Sequence, residues 1–124
     1  MTLLHCMLQR GPADWYKHIT ASEVAKCFYD FLWDKKYRRD TDFTPAQQIK
    51  FSSFDEKKIA KHIEDNPMKF WSGKQDSMVR FEDNYFWFDF DVAVEDQEIL
   101  FQWTREICEF RLHWYFERKE DKHL

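Results

Sequence analysis

The run Tyr85-Phe86-Trp87-Phe88-Asp89-Phe90-Asp91-Val92-Ala93-Val94 decides the fold class. Its apolar residues alternate with a period of two, which only a strand presents as a face. Phe86, Phe88, Phe90, Val92 and Val94 fall on one side and are expected to be core. Tyr85, Trp87, Asp89, Asp91 and Ala93 fall on the other, an amphipathic side expected to be half exposed. Asp83-Asn84 before it marks a turn, and Met78 to Phe81 before that reads as a pairing strand. Phe70-Trp71, followed by the turn signal Ser72-Gly73, reads as a third strand.

Outward from this hairpin the period becomes helical. Toward the N-terminus, Thr20 and Glu23 have capping-box spacing. Val24, Cys27, Phe28, Phe31 and Leu32 then recur at three and four residues, predicting a helix to about residue 38. Thr44-Pro45 opens a short helical turn through Ile49. Ser53 and Glu56 form a second capping-box pair, and Ile59, Ala60 and Ile63 line the buried side of a helix that Asn66-Pro67 should stop. Leu3, Leu4, Met7 and Leu8 have helical spacing, ended by Gly11-Pro12.

Toward the C-terminus a long helix is predicted from about Asp96 to Lys119. Ile99, Leu100, Trp103, Ile107, Phe110 and Trp114 form one apolar stripe. Phe101, Cys108, Leu112, Tyr115 and Phe116 form a second on roughly the opposite side. A helix apolar on two sides is buried on two sides. One stripe is therefore expected to meet the chain's own core and the other to meet a second copy, with Phe101, Cys108, Leu112, Tyr115 and Phe116 as the dimer surface. The alternative is that the N-terminal segment folds over this helix. The whole reads as a single α+β domain over residues 1–124: N-terminal helices, a three-stranded antiparallel sheet and a long C-terminal helix packed on it.

Composition narrows the function classes. Hydrophobic residues make up 44% and aromatic residues 19% of the 124, enough for a packed core. Two glycines and three prolines leave no room for a Gly-rich phosphate loop. No apolar run approaches the length that spans a bilayer, and no signal peptide is visible at the start. Cys6, Cys27 and Cys108 form no CxxC pair or metal-ligand spacing, and are expected to be reduced thiols of a cytoplasmic protein. The five histidines show no HxxxH or HExxH arrangement, and no serine sits in a GxSxG elbow. No catalytic residue, cofactor or metal ligand is assigned.

The net charge of −4 is unevenly spread. Residues 76–98 hold Asp76, Glu82, Asp83, Asp89, Asp91, Glu95, Asp96 and Glu98 against the single cation Arg80. A concentrated negative field draws a basic partner and repels nucleic acid. Tyr85 and Trp87 share a strand face with Asp89 and Asp91, so aromatic anchors stand beside carboxylates, with Glu82 and Asp83 at the rim. The first functional expectation is a non-enzymatic module that inhibits or regulates a basic protein, of immunity or anti-defence type.

Two alternatives use the same residues differently. Three helices and a hairpin is the order of a winged helix, with residues 54–65 as reading helix and Lys57, Lys58 and Lys61 outward. Asp89 and Asp91, roughly 7 Å apart at the backbone on one strand face, could instead hold a divalent cation for hydrolysis.

Overall fold

Residues 2–8 lie at the centre of the fold. The computed structural model describes residues 1–74 and 78–117. Asp76, Ser77, His123 and the expected end of the last helix at Lys119 lie outside the described residues. Helix α1 (Thr2–Leu8) is almost wholly buried, with Leu3 and Met7 fully enclosed. It packs between α2 (Ala21–Asp34) and α7 (Gln97–Leu112). Gly11, at φ 93°, supplies the left-handed turn that lets the chain leave α1.

Thr20 caps α2 as expected: its hydroxyl accepts from the Glu23 N–H at 3.3 Å while the Glu23 carboxylate accepts from the Thr20 N–H at 3.3 Å. The predicted helix to residue 38 is two helices. Lys35 is extended (φ −129°, ψ 127°), which ends α2 and starts α3 (Lys36–Asp42). The Arg38 and Arg39 guanidiniums donate back to the carbonyls of Phe31 and Trp33, satisfying acceptors that the break exposes. Helix α4 (Pro45–Lys50) opens on a Thr44–Gln47 capping box with Pro45 in the first turn. Helix α5 (Glu56–Ile63) is capped by Asp55, not Ser53; the Asp55 carboxylate accepts from the Lys58 N–H at 3.1 Å.

Asn66-Pro67 does not stop the helical path. A π turn over Glu64–Met68 takes up the proline, and the Asn66 side-chain amide donates to the His62 carbonyl at 2.8 Å. The chain continues into α6 (Lys69–Ser72). Phe70-Trp71, expected as a strand, is therefore helical, and Trp71 packs from α6 against Phe86 and Phe88.

The sheet has three antiparallel strands in the order β1-β3-β2: β1 is Ile19–Thr20, β2 is Val79–Glu82 and β3 is Tyr85–Phe88. The third strand is thus Ile19-Thr20, two residues that end on the α2 cap itself. Phe86 at the sheet centre is fully buried, opposite Ile19 and Phe81. Beyond Phe88 the ladder ends. The Phe88 N–H reaches the Tyr16 carbonyl and the Asp89 N–H the Met78 carbonyl, after which residues 90–93 run outside the sheet. Phe88, Phe90 and Val92 still pack on the core, but Val94 is exposed.

A 3₁₀ turn (Val94–Asp96) leads into α7, which passes into a second π turn at His113–Glu117. The principal neighbour of α7 is α1. The N-terminal segment therefore covers one side of the last helix. Among the described residues, no helix is long and apolar enough to cross a membrane.

Two cysteines depart from expectation. The α1–α2 packing sets the Cα atoms of Cys6 and Cys27 5.8 Å apart, and the two form a disulfide. Their separation of 21 residues conceals this in the sequence. Disulfides persist in oxidising surroundings, so the cytoplasmic placement loses the support of three reduced thiols. Cys108 is a buried free thiol, its pKa pushed up to about 11 by burial.

Candidate functional site

Strand register places Tyr85 and Trp87 on the outward face of the sheet. Directly paired residues project to the same side. Thr20 and Glu82 flank Tyr85, and Arg80 pairs with Trp87. The turn between β2 and β3 is Asp83-Asn84, with both residues at positive φ (52° and 70°). That is the tight hairpin turn whose twist matches the strands, and Asp and Asn tolerate it better than most residues. It sets Glu82 and Asp83 at the exposed end of the face.

The centre of the face is aromatic. The His18 ring lies on the Trp87 indole with centroids 4.0 Å apart and planes 15° apart, and its edge faces Tyr85 at 6.0 Å. Trp87 is half-buried beneath that contact, while Tyr85 is 46% exposed. A flat, rigid surface of this kind can bury area on a partner at little entropic cost.

The acidic residues divide. Asp89 continues the Tyr85–Trp87 side and lies 3.5 Å from the Arg80 guanidinium, both groups about half exposed. This pair contributes about 0–1 kcal/mol to stability but offsets the Asp89 charge locally. Asp91 is exposed on the unpaired segment beyond the strand. Glu82, Asp83, Glu95, Asp96 and Glu98 are exposed as well, and Glu98 accepts a hydrogen bond from Gln102 at 2.8 Å. The described carboxylates in this stretch all face solvent, with Asp89 drawn toward Arg80.

The metal reading finds no geometric support: among the described residues, no three His, Cys, Asp or Glu side chains are placed to hold an ion. Asp89 and Asp91 both lie beyond the paired strand, on the side opposite the core-facing Phe88, Phe90 and Val92, so no ladder fixes their spacing. Helix α5, the candidate reading helix, turns Ile59, Ala60 and Ile63 into the core. Its exposed side mixes Lys57, Lys58 and Lys61 with Glu56 and Asp65, and Lys61 pairs with Asp65 at 3.2 Å.

The expected dimer stripe faces inward. Phe101, Cys108, Leu112 and Phe116 are buried in the chain's own core, and the Cys108 thiol lies 3.6 Å from the Met1 carbonyl. Tyr115 is partly exposed and hydrogen-bonds Asp42. The core took this stripe because α1 packs on it. The opposite stripe is the exposed one, except for Leu100, which is partly buried against the core.

Sequence reasoning missed His18 and Arg80. Each sits in the site through strand pairing, and the signal was the short β-branched pair Ile19-Thr20 beside His18, assigned to a helix cap alone. A second grouping was also missed. His5, Tyr37, Arg38, Glu109 and His113 line a cavity of about 190 Å³, in which the Arg38 guanidinium stacks 4.0 Å from the Phe31 ring centroid. Burial, and then Arg38, lowers the His5 pKa, with Glu109 opposing. These groups come from three helices distant in sequence. Compared with protein-family models, curated proteins and solved structures, the chain matches none.

Proposed function

We propose that this chain is a protein-binding module that inhibits or regulates a basic partner through the outward face of the β2–β3 hairpin, in the manner of an immunity or anti-defence protein. The observation that carries the reading is the exposed Tyr85 beside the flat His18–Trp87 stack, on a face rimmed by Glu82, Asp83 and Asp91. Aromatic anchors of this kind supply most of the energy at interface centres. The surrounding carboxylates speed encounter with a basic surface and set orientation.

The two aspartates have different tasks in this reading. Asp91 acts through its uncompensated charge, so Asp91→Lys should slow association and flatten its salt dependence. Asp89 is already drawn to Arg80, so Asp89→Lys should act less through the field and more by setting two cations together on the face. Tyr85→Ala should cost about 2 kcal/mol of binding and appear in the dissociation rate. The test is capture of a basic protein from the native host on immobilised chain, identification by mass spectrometry, and calorimetry of the purified pair with each variant. Affinity unchanged by Tyr85→Ala and Asp91→Lys would remove this face as the binding site.

A further inference from the structure

Helix α7 carries two apolar stripes, and the core uses one. On the other side Ile99, Trp103, Ile107 and Phe110 stand 48% to 65% exposed, in line along one helix. With Trp114 in the π turn, itself 52% exposed, the patch is on the order of 500 Å². That is the scale at which an exposed apolar surface marks a contact site.

We infer that this stripe is the interface with a second copy of the chain, packed parallel along α7. This surface is separate from the hairpin face, and the inference does not rest on the function proposed for it.

Spacing is the first reason for that occupant. The exposed Trp103, Ile107, Phe110 and Trp114 alternate steps of four and three residues. This is the a and d register of a heptad, in which a helix packs lengthwise against another carrying the same repeat. The buried side, through Phe101, Cys108 and Leu112, faces away from this seam, so the rest of each copy lies outside the contact.

Charge supplies the second reason, and the direction. Glu106 borders one edge of the stripe and Arg111 the other, both exposed. In a parallel two-fold pair, the Glu106 edge of each copy meets the Arg111 edge of its mate, and symmetry makes the contact twice. An antiparallel pair would set like edges together. The third reason is area. Two such patches bury about 1,000 Å² in all, the lower bound for a specific interface, which suits a reversible dimer better than an obligate one.

Sedimentation equilibrium of the full chain over a range of concentration tests this. The expected result is a reversible monomer–dimer equilibrium with a dissociation constant on the order of micromolar. Trp103→Glu with Ile107→Glu should weaken it at least about 100-fold with an unchanged far-ultraviolet circular dichroism spectrum, since both side chains are exposed. Glu106→Arg and Arg111→Glu should each weaken it about tenfold, and the two together should restore it. A wild-type chain that stays monomeric at its highest attainable concentration overturns the inference. So does a dimer that survives Trp103→Glu with Ile107→Glu, or a charge-exchanged double variant as weak as the single ones.

Discussion

At the scale of single residues, Asp83 and Asn84 show how a local signal carries through to structure. The pair was legible as a turn, and both residues adopt the left-handed conformation that a two-residue hairpin loop requires. Glycine meets that requirement without steric cost, so Asn84→Gly should stabilise the fold by about 0.5–1 kcal/mol in denaturant melts. A loss of stability would show that the Asn84 side chain makes a contact worth more than the strain. Histidines set a second residue-level property. Burial, then Lys50, lowers the pKa of His62, with Asp65 opposing; burial, then Arg38, lowers that of His5. Both bind protons more readily in the unfolded chain than in the folded one. Their contribution is complete above the unfolded value of 6.5 and is lost as pH falls below it toward the folded values. The melting midpoint should drop between about pH 7.5 and pH 5.5, and His62→Gln should shrink that drop. Neither environment was legible in the sequence, because Phe43, Phe51 and Phe28, which surround His62, reach it from other elements.

At the scale of elements, what was legible followed from periodicity and caps, and what was not followed from pairing across the chain. The Thr20–Glu23 box and the Val24–Leu32 stripe are local, and α2 begins and packs as they require. The strand character of Phe86 and Phe88 is equally local. Phe70-Trp71 deceived because two adjacent aromatics suit either state, and the π turn at Pro67 kept the chain helical where a stop was expected. Strand β1 is too short for any periodicity to reveal, and exists because β3 offers it an edge. The Cys6–Cys27 disulfide belongs to this scale, since it ties α1 to α2. Closing a loop of this size should contribute about 3 kcal/mol, and reduction should lower the melting temperature accordingly. Thiol titration of the unfolded chain without reductant should find one reactive cysteine, Cys108. Three would show that the bridge is absent. In the folded chain Cys108 should not react at neutral pH, being buried and protonated.

At the scale of the whole molecule, the α+β class and the aromatic side of the hairpin were legible, but the partition of α7 was not. Two apolar stripes on one helix are equivalent as sequence. Only the position of α1 decides that Phe101, Cys108 and Leu112 turn inward while Trp103, Ile107 and Phe110 remain out. The same holds for the candidate site. Tyr85, Trp87 and the acidic residues could be assembled from alternation and charge, whereas His18 and Arg80 arrive only with the register of three strands.

The contact between Met1 and Cys108 has a further consequence for how the molecule is made. Leu3, Leu4 and Met7 are synthesised about ninety residues before α7, which covers α1. The nascent chain must carry these greasy side chains without their cover until α7 emerges, and loop closure over such a distance is slow. Fragments cut short before residue 97 should therefore clump or be degraded, while the finished polypeptide does not.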